Sequence, residues 1–271
     1  MKYDFDRIYN VDCYTAVKDI PDCFIDCVYI DIPYLHTQGG KSEKDLGKRY
    51  QMRKEQLKGY SLRLKNNVDV EKYDVLRIDK YKAKTRLETS AIDMGIDYSI
   101  LDELCRVMKK INIFIWCSKL QILDLLNYFV GIKKCNFDLL VWAKTNAIPT
   151  NNSLLSDIEY CLYFRSKGVL INTEYENKSR WFCSSSNKKD KVKFKHPTIK
   201  PLKFVESHIK LATKENDIVL DCFLGSGTTA VACKNLNRHY IGFEKEKDYF
   251  DIALDRLNNV DANGVISMFP L

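Results

Sequence analysis

The residues that could do chemistry form two short clusters, one in each half of the chain. The first cluster is the tetrapeptide Asp31-Ile32-Pro33-Tyr34, which joins a carboxylate, a proline-restricted turn and an aromatic ring. Asp31 and the backbone carbonyl of Ile32 can each accept a hydrogen bond from an amino group. Tyr34 can stack on a flat ring. The tetrapeptide therefore predicts a site for a planar substrate that bears an amine.

The second cluster is a glycine loop at residues 221–228, which follows a short apolar run. Glycine lets the backbone turn sharply and lets a ligand approach it closely. A further apolar run ends in Glu244, 19 residues after Gly225. This order of strand, loop, helix, strand and acid is typical of a nucleoside-cofactor site, where the acid accepts from ribose hydroxyls. Taken alone, Gly225, Gly227 and Ala230 also fit the fingerprint of nicotinamide enzymes.

Both clusters follow apolar runs, so we expect them at the carboxyl ends of strands, where open α/β sheets bind ligands. Seven runs of this kind lie at residues 7–10, 24–30, 111–117, 137–142, 159–164, 218–221 and 240–243. Helical patterns lie between them, at residues 14–20, 99–110, 120–129, 201–212 and 228–237. The alternation predicts an α/β fold with a Rossmann-like, doubly wound and mostly parallel sheet.

Basic charge is concentrated in two segments. Residues 36–95 hold 15 Lys and Arg against 9 Asp and Glu, and residues 165–203 hold 11 against 3, in a chain of net charge +7. Aromatic residues are interleaved with the charges, as in surfaces that bind phosphates and bases. We predict a basic insertion at 36–95, with a helix near 43–58, and a target-recognition region at 165–200.

The composition bounds the class of protein. At 271 residues, 45% hydrophobic and 29% charged, the chain is typical of a globular protein, and we expect one domain over 1–271. No apolar run approaches the roughly 20 residues that span a bilayer, and the N-terminus lacks a signal-peptide core. We therefore expect a cytoplasmic protein. The ten cysteines form no Cys-x-x-Cys pair, and with four histidines they predict no metal site.

Two further motifs lie between the clusters, at residues 141–146 and 196–201. The four blocks, in this order, resemble the amino-group DNA methyltransferases that use S-adenosylmethionine. The order is the permuted one of the beta class, with the catalytic tetrapeptide first and the glycine motif last. Ile32 and Cys222 stand where the family patterns carry proline. The resemblance covers most of the chain except about 36–92.

The resemblance implies transfer of a methyl group from S-adenosylmethionine to a base flipped out of DNA, with no metal. Adenine N6 is the expected target, because Asp31 stands where cytosine-N4 members usually carry serine. The implied catalytic residues are Asp31, Ile32, Pro33 and Tyr34. The implied cofactor-binding residues are Asp12, Thr198, Lys200, Asp221, Phe223, Gly225, Ser226, Gly227, Thr228 and Glu244. Among these, Asp221 would meet the ammonium, Glu244 the ribose, and Thr198 with Lys200 the carboxylate.

The basic segments and the 141–146 block predict the DNA contacts. We expect them at Lys41, Lys48, Arg49, Lys144, Asn146, Arg180, Lys188 and Lys189. The expected partners are DNA, double- or single-stranded, and a cognate restriction endonuclease, with the protein a monomer or homodimer.

Several alternatives stay open at this point. One is methylation of cytosine N4, and another is methylation of RNA or of protein glutamine. A third is a catalytically weak DNA-binding relative, because Ile32 keeps a carbonyl but lacks the fixed φ of proline.

Overall fold

The computed structural model describes residues 2–34, 96–147, 154–169, 171, 175–185 and 199–259. The chain divides into two compact units, one made of Met1–Ile32 with Ser99–Leu271 and the other of Pro33–Tyr98. All the helices and strands below belong to the first unit. The predicted insertion at 36–95, with its helix near 43–58, lies outside the described residues.

The first half of the first unit contains β1 (Arg7–Asn10), α1 (Cys13–Ala16), β2 (Cys27–Asp31), α2 (Ile100–Val107), β3 (Asn112–Cys117) and α3 (Ile122–Leu126). A π-helical stretch, Asn127–Ile132, continues α3. The second half contains β4 (Asn136–Lys144), β5 (Ile158–Arg165), β6 (Trp181–Ser184), α4 (Leu202–Ala212), β7 (Ile218–Asp221), α5 (Thr228–Asn235), β8 (His239–Glu244) and α6 (Lys247–Asn258). Short 3-10 turns lie at Val17–Asp19 and Tyr175–Lys178.

The strands form one sheet, and within the described ranges it has eight members in the order β1-β8-β7-β2-β3-β5-β4-β6. Only β5 among these eight runs against its neighbours, while every other adjacent pair is parallel. The prediction of a mostly parallel α/β sheet is confirmed. The sequence predicted seven of these strands and missed β6, which is four residues long and pairs with β4 at the edge of the sheet.

Helix α4 covers the face of the sheet that carries Asp31. Phe204 packs edge-on against Trp116, with ring centroids 5.6 Å apart, and His208 stacks on Phe114 at 4.9 Å. His208 is completely buried, and this burial lowers the pKa of its imidazole to about 3. The histidine is therefore neutral and belongs to the core rather than to a catalytic site.

A second part of the core joins the glycine loop to helices α5 and α6. Leu224 from the loop packs with Ile8 of β1, Val231 of α5, and Ala253 and Leu257 of α6. The loop is therefore supported from below by two helices and a strand. No helix in the described ranges is long and apolar enough to cross a lipid bilayer.

Candidate active site

Polar side chains line one edge of the sheet. Five strands that run in the same direction end in a charged or amide side chain: Asn10 in β1, Asp31 in β2, Lys144 in β4, Asp221 in β7 and Glu244 in β8. Their final side chains therefore lie at the same carboxyl edge. This is the edge at which open α/β sheets bind ligands.

Two acids hold the glycine loop that follows β7. Asp221 Oδ1 accepts a hydrogen bond from the backbone N–H of Phe223 at 3.0 Å. Glu244 Oε2 accepts one from the N–H of Gly225 at 2.7 Å. Gly225 and Gly227 have φ values of +53° and +79°, in the left-handed region that strains any residue with a Cβ. The loop can take this shape because both positions are glycine.

Gly227 also packs closely against α6. A Cβ placed on it would be 3.0 Å from the Cβ of Ala253. Gly227 immediately precedes α5, so this close contact lies at the start of the helix. The first N–H groups of a helix have no partner within the helix and suit polar or anionic parts of a ligand.

Arg256 of α6 donates hydrogen bonds to the glycine loop, a role that the sequence analysis did not predict. Its Nη1 donates to the backbone oxygen of Ser226 at 2.6 Å, to Ser226 Oγ at 2.9 Å and to Thr228 Oγ1 at 3.1 Å. The side chain is 1% exposed. A signal was present, because Arg256 shares a helical stripe with the apolar Ala253 and Leu257, and a charged residue on a buried stripe is unusual.

Burial makes the ionised forms of Asp221 and Glu244 unfavourable. Burial raises the pKa of Asp221 to about 7, with smaller contributions from the charges of Asp31 and Glu244 and with hydrogen bonds from Thr229 and Phe223 acting the other way. Burial also raises the pKa of Glu244. A cation beside Asp221 would relieve this cost, and hydroxyl donors beside Glu244 would do the same.

The carboxylate of Asp31 is fixed by a buried lysine. Lys200 Nζ lies 2.5 Å from Asp31 Oδ2 and 3.0 Å from Glu159 Oε2. Lys144 Nζ lies 2.5 Å from Glu159 Oε1. Burial alone would lower the pKa of Lys200, but the charges of Asp31 and Glu159 raise it above its usual value. Lys200 is therefore an ammonium at neutral pH, and it orients Asp31.

Ile32 is held in place by a hydrogen bond that proline could not make. Its backbone N–H donates to the carbonyl of Trp116 at 3.2 Å, which continues the pairing of β2 with β3 by one residue. The side chain of Ile32 is buried. In this chain a hydrogen bond and side-chain packing restrain the backbone at Ile32, where the family tetrapeptide has a proline that fixes φ.

Comparison with known proteins identifies the family. The family model described as "DNA methylase", N6_N4_Mtase, matches residues 25–255. The chain belongs to this family of DNA methylases. The family that we predicted from the four sequence blocks is confirmed.

The relatives of this DNA methylase match most of its length. A Type II methyltransferase of Lactococcus lactis subsp. cremoris, M2.LlaDCHI, is 28% identical over 274 residues, covering 92% of this chain and 88% of that protein. The crystal structure of an M1.HpyAVI–SAM complex is 25% identical with a TM-score of 0.59, covering 92% of this chain and 98% of that one. The PvuII DNA methyltransferase, described as cytosine-N4-specific, shares the fold, with a TM-score of 0.63 at 15% identity over 94% of this chain and 88% of that one.

The structure of the methylase brings most of the predicted cofactor residues to the carboxyl edge. Asp12 follows β1 and caps α1, where its Oδ1 accepts from the N–H of Tyr14 at 2.9 Å. Ser226 and Thr228 are buried, and their hydroxyl oxygens accept hydrogen bonds from Arg256. Lys200 contacts Asp31 and Glu159, and its place beside the cofactor carboxylate stays a prediction. Thr198 lies outside the described residues.

Only some of the predicted catalytic and DNA-binding residues lie within the described ranges. Pro33 and Tyr34 belong to the second compact unit, and both are half-buried. Lys144 ends β4 in contact with Glu159, and Asn146 follows it. Arg180 is exposed and lies 3.6 Å from Asp138. The remaining predicted DNA contacts lie outside the described residues: Lys41, Lys48, Arg49, Lys188 and Lys189.

Proposed function

We propose that this protein is a site-specific DNA methyltransferase that methylates adenine at N6. As a DNA methylase of the N6/N4 family, the protein takes its methyl group from S-adenosylmethionine and transfers it to DNA. The observation that carries the proposal is the position of Asp31. It ends a core strand, is fixed by a buried lysine, and lies at the same sheet edge as the glycine loop.

The residues of the glycine loop fit S-adenosylmethionine. Asp221 is a buried carboxylate whose raised pKa marks a place where a cation is favourable, which suits the ammonium of the methionine part. Glu244 offers carboxylate oxygens beside Gly225, which suits ribose hydroxyls. The bound cofactor supplies an electrophilic methyl group on its sulfonium.

The chain's own residues would orient the acceptor amine. Asp31 and the carbonyl of Ile32 can each accept a hydrogen bond from one N–H of the amine, which helps to localise the lone pair on the nitrogen. Tyr34 would stack on a base that has left the duplex, and this flipping costs a few kcal/mol. Positioning of this kind accounts for most of the rate, since a well-oriented pair can gain roughly 7–11 kcal/mol.

The choice of adenine rests on the first residue of the tetrapeptide. Asp31 stands where the cytosine-N4 members of the resembled family usually carry serine. The fold itself does not distinguish the two bases, since the PvuII enzyme with the same fold is described as cytosine-N4-specific.

We further propose a place for this reaction in a restriction-modification system. M2.LlaDCHI and M2.DpnII, the latter 28% identical over 82% of its length, are both described as Type II methyltransferases. The partner would be an endonuclease that cuts the same DNA sequence when it is unmethylated.

Mass spectrometry of nucleosides tests the proposal. DNA of mixed sequence is incubated with the protein and S-adenosylmethionine, digested, and compared with DNA treated with Asp31→Ala. We expect N6-methyladenine that is absent with the variant. N4-methylcytosine would keep the reaction and overturn the base, and the absence of both products would overturn the proposed function.

A further inference from the structure

A chain of alternating charges runs from the outer end of β4 to Asp31. Its members are Lys144, Glu159, Lys200 and Asp31, and successive charged atoms are 2.5, 3.0 and 2.5 Å apart. The four residues come from β4, β5, the segment before α4 and β2. Residues so distant in sequence meet because the fold places them on one face of the sheet.

The strand register explains this meeting. Trp116 is paired with Asp31 on one side and with Cys161 on the other, so all three side chains point to the same face. Glu159 lies two residues before Cys161 and shares its face, because side chains alternate along a strand. Lys144 is on this face as well, since Trp142, two residues earlier, is paired with Glu159.

Lys200 enters this face from the segment before α4. Its side chain is nearly buried, and its Nζ lies 4.9 Å from the centre of the Trp116 ring. A buried ammonium needs opposite charge close by, and Glu159 and Asp31 both provide it. The two carboxylates therefore share one cation, and any change in Glu159 alters how strongly Lys200 binds Asp31.

We propose that Glu159 is a positioning residue for methyl transfer, which acts through Lys200 to set the orientation and hydrogen-bonding strength of Asp31. The inference rests on the proposed function, because it assigns Glu159 a part in the reaction for which Asp31 is the catalytic residue. Glu159 itself need touch neither the base nor the cofactor.

The direction of the effect follows from the charges. The four residues carry two positive and two negative charges. Replacing Glu159 by glutamine leaves one excess positive charge. Of the two carboxylates that accept hydrogen bonds from Lys200, Asp31 alone then remains. Asp31 then accepts more strongly from Lys200 and more weakly from the substrate amine. Lys144 and Lys200 lower the pKa of Glu159 to about 2, against the effect of its burial, so the residue is ionised wherever the enzyme is folded and assayed near neutral pH.

The test compares Glu159→Gln with a matched variant on the same two strands. Asp138 of β4 lies 3.2 Å from Arg165 of β5, and both are partly buried, so Asp138→Asn removes an equivalent charge at the far end of the strand pair. We expect Glu159→Gln to lower kcat by about 100-fold, the order expected for misplaced reacting groups. The KM for S-adenosylmethionine should change little. Asp138→Asn should leave kcat at saturating DNA unchanged, although its other partner, Arg180, is a predicted DNA contact.

Two more measurements separate positioning from stability and from the proposed function. In a Lys200→Met background, Glu159→Gln should lower kcat no further, because both changes act on one unit. The 13C NMR signal of the Asp31 carboxyl should shift in Glu159→Gln and not in Asp138→Asn, and this signal needs no methyl transfer.

The outcomes are distinct. An Asp31 signal that does not move, or equal loss of kcat in both strand variants, would overturn the inference and leave the proposed function standing. A wild-type protein that methylates no DNA would overturn the proposed function, while a shifted Asp31 signal would still support the coupling of Glu159 to Asp31.

Discussion

At the scale of single residues, Asp221 combines a structural task with a proposed binding task. It caps the turn after β7 through the N–H of Phe223, and it is buried enough for its pKa to reach about 7. A carboxylate with this pKa changes charge near neutral pH, so cofactor affinity and folding stability should respond to its ionisation in opposite directions.

Affinity for S-adenosylmethionine should rise with pH through Asp221. In the proposed function the ionised form pairs with the ammonium of the cofactor, and this form becomes predominant only above about pH 7. We expect the affinity measured by titration calorimetry to increase roughly tenfold between pH 6 and 8. In Asp221→Asn the affinity should be lower and this rise should disappear. An equal rise in wild type and variant would contradict the role of Asp221.

Folding stability of the cofactor-free protein should show the opposite sign. Because the folded-state pKa is raised from 3.8 to about 7, the contribution of Asp221 is fully present below about pH 4 and is lost as the pH rises through 7. Thermal unfolding should therefore show wild type losing stability relative to Asp221→Asn between pH 4 and 8. A constant difference across this range would show that Asp221 titrates elsewhere.

Ile32→Pro tests the hydrogen bond that replaces the proline of the family tetrapeptide. The variant loses the N–H that donates to Trp116 and part of a buried side chain. We expect a loss of about 1–2 kcal/mol in the free energy of unfolding, measured by denaturant titration, and no gain in kcat. A variant with both a higher free energy of unfolding and a higher kcat would show that Ile32 restrains the turn less well than proline does.

At the scale of elements, the start of α5 depends on Gly227. In Gly227→Ala the new Cβ meets Ala253 at 3.0 Å in a left-handed backbone, so we expect a loss of roughly 1–2 kcal/mol or more in stability and weaker cofactor binding. Gly131→Ala is the matched control, because a Cβ there meets nothing within 4 Å. It should leave binding unchanged, and equal effects of the two substitutions would contradict the account of the loop.

Arg256 makes a second prediction about the same loop. Arg256→Met removes the donors to Ser226 and Thr228, so both stability and affinity for S-adenosylmethionine should fall. Arg238→Met is the control, because Arg238 also donates to backbone carbonyls, those of Thr213 and Leu236, away from the loop. It should lower the unfolding temperature without changing cofactor affinity, which calorimetry can measure for both variants.

Elements with strong local patterns could be predicted, and contacts between distant elements could not. Buried strands such as β3, six residues that are all buried, are visible as apolar runs. Strand β6 was missed because it is only four residues long, has no fully buried residue and lies within a basic segment. The contact between Lys200 and Asp31 joins residues 169 positions apart, and nothing in either local sequence indicates it. Arg256 was missed because a single arginine in a helix is ordinarily exposed.

At the scale of the whole molecule, the charged or amide side chains that end five strands lie at one edge of the sheet. The net positive charge of the chain favours binding of DNA. The chain carries +7, so affinity for DNA should fall steeply with salt as phosphate contacts release counterions. Arg180→Ala should weaken binding to all DNA sequences and reduce the salt slope by about one. Lys214→Ala, an exposed residue in the turn before β7, should not. Fluorescence anisotropy at several salt concentrations measures both slopes.

The most direct test of the account is single-turnover methyl transfer to DNA by wild type and Asp31→Asn, with cofactor affinity measured on the same samples. The substitution keeps the size of the side chain and removes the charge that Lys200 holds. We predict that Asp31→Asn binds S-adenosylmethionine as wild type does and transfers its methyl group at least about 100-fold more slowly. Transfer by Asp31→Asn at the wild-type rate would contradict the claim that Asp31 orients the amine that is methylated.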